Sequence, residues 1–162
     1  MLIMYKTIFV ITALLLALIA GLFYSYSVSV NPGLGKLTDA EYLRAMQSIN
    51  RVILNPLFFV SFMGTVIMLP VSTWLSYRQE GVGASFYFIL AATIIYIIGV
   101  FGVTAGGNVP LNNMLDKADL ATINLADLRK SFEASWNRFH TIRTVANIIS
   151  LGLLLVAFIR TK

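Results

Sequence analysis

The sequence predicts an all-α integral membrane protein, an antiparallel four-helix bundle with an amphipathic connecting helix between its first two spans. Hydrophobic residues make up 58% of the 162 residues and charged residues only 12%, whereas a soluble domain carries about 25% charged residues. Four stretches reach the length of about 20 apolar residues that a span requires. They occupy most of the chain, so we expect a single transmembrane domain over residues 1–162. The expected spans cover about residues 7–30, 52–77, 84–105 and 137–160.

The first span is expected to be retained, because its apolar run exceeds the roughly 7–15 residues of a signal-peptide core. Asn31-Pro32-Gly33 predicts the end of this helix, since proline restricts the residue before it and glycine tolerates positive φ. Thr38 and Glu41 then have the spacing of a capping box. They predict the start of an amphipathic helix over residues 38–54 that lies at the membrane interface or covers the bundle.

The remaining connections define the rest of the topology. Arg78–Gly83 is short and glycine-rich, which makes the second and third spans antiparallel neighbours. Gly106-Gly107 predicts the end of the third span and the start of a polar connection over residues 106–136. The last helix is expected to start near Asn124 or Leu125 and run to Arg160, roughly 50 Å at the rise of an α-helix. Its first turns would therefore project beyond the bilayer.

One face of this last helix is polar. At about 100° per residue, Trp136, His140, Arg143 and Asn147 fall within a sector of roughly 60°. Ionisable residues at membrane depth usually face a bundle interior or a cavity. We therefore take His140 and Arg143 as candidate catalytic residues, and Trp136 and Asn147 as candidate ligand contacts.

Topology brings more amides to the same place. The first and third connections lie at the same membrane face in an antiparallel four-helix bundle, so their asparagines converge on the polar stripe. Those predicted contacts are Asn50, Asn55, Asn108 and Asn112. The alternative for each residue is structural: asparagines cap helices, arginine snorkels to headgroups, and tryptophan occupies the interfacial aromatic belt.

Composition excludes several classes of function. The chain has no cysteine and one histidine, which excludes disulfides, thiolate metal sites, a Cys-x-x-Cys relay and bis-histidine haem within one chain. One histidine without a carboxylate inside the membrane builds no metal site, so we expect no metal and no cofactor. The net charge of +5 comes from scattered Lys and Arg at helix ends, which does not predict nucleic-acid binding.

Several motifs together resemble one family. They are Gly21-Leu22-Phe23, Asn31-Pro32, Ala45-Met46-Gln47-x-x-Asn50, Asn55-Pro56, Asn108-x-Pro110-x-Asn112 and Trp136-x3-His140-x2-Arg143. In this order, over nearly the whole chain, they resemble the anthrone oxygenase-like family of small four-span membrane proteins, many of unknown function. Characterised members oxidise a polyketide anthrone to an anthraquinone with dioxygen and no evident cofactor. The resemblance implies a membrane-embedded oxygenase acting on an anthrone- or quinone-like aromatic molecule.

That chemistry requires a base near neutral pKa, donors for a developing oxyanion and an apolar slot for a flat tricycle. His140 suits the first role, and Arg143 with the asparagines suits the second. Trp136, Met46, Tyr42 and Phe139 would line the slot. The alternative is a non-catalytic bundle that binds a lipid or small ligand, or a subunit of a membrane complex.

Expected partners are membrane lipids and a hydrophobic small molecule. We expect a multi-pass membrane protein, in the inner membrane if the source is bacterial. The sequence leaves open the membrane orientation, the substrate and the formation of homo-oligomers.

Overall fold

A computed structural model describes residues 2–160, and its regular structure is entirely helical. The predicted fold is confirmed: four helices are long and apolar enough to cross a membrane, and a shorter one connects the first two. In chain order they are α1 (Ile3–Leu34), α2 (Asp39–Val52), α3 (Pro56–Glu80), α4 (Ala84–Lys117) and α5 (Leu125–Arg160). The long helices form a ring, in which α1 packs on α3 and α5 while α4 packs on the same two neighbours.

Buried hydroxyl groups join the spans across an apolar core. The Thr12 and Ser72 hydroxyls lie 2.8 Å apart between α1 and α3, and the Tyr96 hydroxyl of α4 donates to the carbonyl oxygen of Phe62 at 3.1 Å. In lipid the hydrophobic effect does not drive helices together, so close packing and interhelical hydrogen bonds hold the bundle.

Two helices continue where the sequence predicted that they end. α1 passes through Asn31-Pro32-Gly33 to Leu34, and α4 passes through Gly106-Gly107 to Lys117. In both cases a wide π-helical segment, Tyr26–Val30 or Thr104–Asn108, immediately precedes the turn that holds the proline.

The predicted ends at Gly33 and Gly106 were therefore wrong. Within the expected polar connection 106–136, the break between helices is confined to residues 118–124. The wider turn leaves room for the proline ring, which has no N–H to donate. Continuing the helix also keeps the backbone groups paired in a medium without water.

α2 and the projecting start of α5 form a cap at one membrane face. α5 is 36 residues long, about 54 Å, against a hydrocarbon core of about 30 Å. Tyr42, Leu43 and Met46 of α2 pack with Phe132 of α5. The Arg129 guanidinium, also on α5, donates to the carbonyl oxygens of the chain just before α2 and to the first carboxylate of that helix.

The predicted capping box begins α2. The Thr38 N–H donates to the Glu41 carboxylate at 3.0 Å, the Thr38 hydroxyl donates to the same oxygen at 2.7 Å, and the Glu41 N–H donates weakly to the hydroxyl at 3.5 Å. The side-chain hydrogen bond from Thr38 lowers the pKa of Glu41 below its usual 4.5. The box therefore begins α2 at Asp39.

Candidate functional site

A crevice lies under the cap, where all five helices meet. The space between its walls, including the part that is open to the outside, is about 580 Å³. Most lining residues are apolar or aromatic, with a few polar groups among them. The lining residues are Leu22, Phe23, Tyr26, Ile49, Asn50, Ile53, Leu54, Phe58, Thr104, Val109, Asn112, Trp136 and Arg143.

The structure brings four of the sequence-predicted residues to this crevice. Asn50 comes from α2, Asn112 from α4, and Trp136 and Arg143 from α5. They are far apart in sequence and meet because the first and third connections share a membrane face. The helical rise puts Arg143 roughly 25 Å from Arg160, which is inside a hydrocarbon layer about 30 Å thick.

Trp136 is fixed on three sides. Its indole N–H donates to Oδ1 of Asn112 at 2.8 Å, and its backbone carbonyl accepts from Nδ2 of Asn108 at 3.2 Å. Its ring stacks on that of His140, with centroids 5.1 Å apart and planes 10° apart. The indole, which is 3% exposed, is therefore held rigidly where it lines the crevice.

Arg143 is the buried charge of the site, with 8% of its surface exposed. Its guanidinium carbon lies 4.4 Å from the ring centre of Phe23 and 5.2 Å from that of Trp136. Within residues 2–160, no ion pair includes Arg143. A buried guanidinium without a carboxylate partner is costly, so an anion in the crevice would be strongly favoured next to it.

His140 lies behind the crevice wall and does not line the empty space. Its Nδ1 accepts from Nε and Nη2 of Arg143 at 3.3 and 3.2 Å. The ring proton is therefore assigned to Nε2, which donates to the carbonyl oxygen of Phe23 at 3.1 Å. Both ring nitrogens are engaged, and the imidazole holds the guanidinium in place.

The other predicted contacts lie outside the crevice. Asn55 caps α3, where its Oδ1 accepts from the Phe58 N–H at 3.1 Å and its Nδ2 donates to the Val52 carbonyl.

Asn108 supports Trp136 from behind, and Met46 is fully buried within the cap. Asn147 lies one turn beyond Arg143, fully buried, and its amide has no hydrogen-bond partner among the described residues.

Sequence reasoning missed the contribution of α1 and of the π-helical segment in α4. Phe23 and Tyr26 form one wall of the crevice, and Thr104 lies at its side. The aromatic run Phe23–Tyr26 near the end of an otherwise aliphatic span was an available signal. The same aromatic residues are equally typical of an interfacial aromatic belt, so the sequence did not distinguish these two rings as part of a site.

One polar atom of a lining residue, Nδ2 of Asn50, lacks a partner within residues 2–160. Oδ1 of Asn108 and both amide atoms of Asn147, which are not among the lining residues, lack one as well. An unsatisfied buried amide is uncommon in a native structure. No group of three or more His, Cys, Asp or Glu side chains with metal-binding geometry occurs in the same part of the chain.

Four helices that are long and apolar enough to cross a membrane surround a mostly apolar crevice, which is the architecture of a small multi-pass membrane protein. The sequence profile of the anthrone oxygenase family matches residues 58–153, more than half of the chain. The chain therefore belongs to this family, as its motifs indicated. The match covers α3, α4 and most of α5, and hence Asn112, Trp136 and Arg143. No curated protein and no solved structure matches the chain.

Proposed function

We propose that the crevice binds a hydrophobic aromatic molecule of the anthrone or quinone type and oxidises it with dioxygen, without a cofactor. The observation that carries the proposal is the buried guanidinium of Arg143, which faces a mostly apolar crevice and has no carboxylate partner within residues 2–160. Membership of the anthrone oxygenase family supports the choice of substrate class. Fold and family alone do not fix a substrate, so the substrate class is inferred from the chemistry of these side chains.

The first step is loss of a proton from the substrate methylene, which leaves an anion with much of its charge on the ring oxygen. Arg143 stabilises that oxygen, and the unpaired Nδ2 of Asn50 donates to it. The Oδ1 of Asn112 is occupied by Trp136, so its NH2 group also remains for the ligand. Donors in a site of low dielectric stabilise developing charge far better than they do in water.

His140 acts in this proposal as a positioning residue, because both of its ring nitrogens already have partners. The proton of the substrate passes to water in the open part of the crevice. Trp136 holds the flat ring system parallel to its indole.

The second step is attack on dioxygen. The anion transfers an electron to dioxygen, and recombination forms a carbon–oxygen bond, which gives a hydroperoxide after protonation. Loss of water then breaks the O–O bond and the remaining C–H bond and leaves a carbonyl group. One anthrone and one dioxygen give one anthraquinone and one water, with carbon oxidised and dioxygen reduced.

The test uses purified protein in lipid nanodiscs with unsubstituted anthrone. Oxygen uptake and anthraquinone absorbance are measured together, with empty nanodiscs giving the uncatalysed rate. We expect wild type to exceed that rate, and Arg143→Gln to lose about 10²-fold, the usual effect of removing one oxyanion donor. Arg138→Gln is the matched control, because Arg138 lies on the same helix with its side chain exposed.

Two further outcomes decide between enzyme and binding protein. Binding of anthrone by wild type without oxidation above the rate of empty nanodiscs would overturn the enzyme and favour the non-catalytic alternative. Asn50→Ala is a second variant, chosen because it should leave the fold intact: Nδ2 of Asn50 makes no hydrogen bond within the described chain. We expect this variant to remain monodisperse and to lose activity. Full activity in both Asn50→Ala and Arg143→Gln would contradict the proposed site.

A further inference from the structure

A second crevice opens at the opposite membrane face, between the start of α1 and the end of α3. It encloses about 370 Å³ of empty space and is separate from the site of Arg143. Its walls combine apolar side chains with a phenol, an amide and a guanidinium. They are Met4, Tyr5, Trp74, Leu75, Arg78 and Gln79.

Two buried polar atoms of this crevice lack partners. The Tyr5 side chain is 1% exposed, and its hydroxyl makes no hydrogen bond with any described residue. Oε1 of Gln79 is likewise buried and unpaired. Polar groups buried in a membrane protein are normally satisfied, so both atoms indicate a bound partner that offers a hydrogen-bond acceptor and a donor.

The charge and depth of the crevice indicate what that partner is. Arg78 lies in the last turn of α3, with its guanidinium carbon 5.6 Å from the ring centre of Trp74. Arginine and tryptophan together mark the headgroup level of a bilayer. Arg78 is exposed at the rim of the crevice and makes no salt bridge in residues 2–160. Basic pockets between spans at this level suit phosphate groups.

We propose that this crevice binds a phospholipid whose headgroup carries both a phosphate and a primary ammonium, as phosphatidylethanolamine does. The phosphate accepts hydrogen bonds from the Arg78 guanidinium and the Tyr5 hydroxyl. The ammonium donates to Oε1 of Gln79. The acyl chains lie against Met4 and Leu75. This site is independent of anthrone oxidation, and the failure of either proposal leaves the other standing.

The test is a titration of delipidated wild-type protein in detergent, followed by native mass spectrometry. Phosphatidylethanolamine, phosphatidylglycerol and phosphatidylcholine with the same acyl chains are compared. We expect one tight adduct with phosphatidylethanolamine. Phosphatidylcholine should bind roughly tenfold more weakly, because its quaternary ammonium has no N–H for Gln79. Equal binding of the three lipids, or tighter binding of phosphatidylglycerol, would overturn the proposal.

Substitutions in the crevice test which side chains bind the lipid. Gln79→Leu should abolish the preference for phosphatidylethanolamine over phosphatidylcholine, because it removes the acceptor for the ammonium. Tyr5→Phe should weaken the binding of both lipids alike, because it removes a donor to the phosphate that they share. Tyr5→Phe deletes only a hydroxyl without a partner among the described residues, so the variant is expected to remain folded, as gel filtration would check. Tyr87→Phe is the control, an exposed tyrosine in the first turn of α4 at the same membrane face. An unchanged preference in Gln79→Leu, or an unchanged affinity in Tyr5→Phe, would contradict the proposal.

A soluble competitor distinguishes a lipid from a free headgroup. Glycerophosphoethanolamine has the same phosphate and ammonium but no acyl chains. We expect no displacement of the lipid adduct by it at millimolar concentration. Displacement would show that the headgroup alone suffices and would contradict a lipid site.

Discussion

Arg143 donates two hydrogen bonds to Nδ1 of His140, from Nε at 3.3 Å and from Nη2 at 3.2 Å. In the proposed mechanism this contact makes His140, a candidate general base in the sequence, a support for the guanidinium. The charge that faces the crevice is that of Arg143, and its position depends on His140 and on the rings of Phe23 and Trp136.

The first prediction separates these two roles of His140. His140→Gln supplies an amide oxygen that can accept from Arg143, so we expect oxidation of anthrone within about fivefold of wild type. His140→Leu supplies no acceptor and should lose about as much activity as Arg143→Gln. Steady-state rates in nanodiscs check both variants. A general base contributes about 10²–10⁴-fold, so an equally severe loss in His140→Gln and His140→Leu would restore the histidine as a base.

The second prediction concerns the packing of α4 on α5. A Cβ at Gly107 would lie 2.7 Å from Cγ of Phe139, whereas one at Gly106 would meet nothing within 4 Å. We expect Gly107→Ala to lower the free energy of unfolding by about 1–3 kcal/mol through overpacking. Gly106→Ala, its neighbour and control, should be neutral or slightly stabilising. Thermal unfolding in detergent measures both, and equal midpoints would show that the two helices are less closely packed than described.

The third prediction is a pH effect on the cap. The pKa of Glu41 is lowered in the folded protein by its hydrogen bond from Thr38, so its stabilising effect is present above the unfolded pKa of about 4.3. That effect is lost as the pH falls through the lower, folded value. Hydrogen-exchange protection at the start of α2 should therefore decrease in acid below about pH 4. Glu41→Gln keeps a capping-box residue and should abolish the pH dependence; an unchanged acid response in this variant would disprove the assignment.

The fourth prediction tests the indole wall. Trp136→Phe removes the donor to Asn112 and frees that amide to rotate. We expect KM for anthrone to rise several-fold more than kcat falls, because the indole acts in binding. Trp74→Phe is the control, a tryptophan that lies in the second crevice at the other membrane face. Equal effects of the two substitutions would argue against a specific role of Trp136.

The spans and the meeting of Asn50, Asn112, Trp136 and Arg143 were accessible from sequence for a physical reason. A membrane span is recognised by the number of consecutive apolar residues that a bilayer requires. The antiparallel order of the spans then determines which connections lie at the same membrane face. No knowledge of side-chain contacts was needed for either inference.

The remaining features depend on packing between helices. The π-helical segments before Pro32 and Pro110 let both helices continue where proline and glycine usually end them. Thr104 lines the crevice within one such segment, so periodicity alone could not place it. The proposed role of His140 depends on which of its ring nitrogens faces Arg143, and a sequence does not give the orientation of a ring.

The most direct test of the buried guanidinium is the equilibrium binding of a hydroxyanthraquinone that ionises but does not react. Binding is measured by quenching of Trp136 fluorescence in Trp74→Phe protein, at pH values below and above the pKa of the ligand. The account predicts that ionisation of the ligand tightens Kd about tenfold or more, as a charge-assisted hydrogen bond to Arg143 would. Arg143→Gln should abolish that dependence on pH, and Arg138→Gln should keep it. Equal affinity for the neutral and ionised ligand in the Arg143-containing protein would contradict the account.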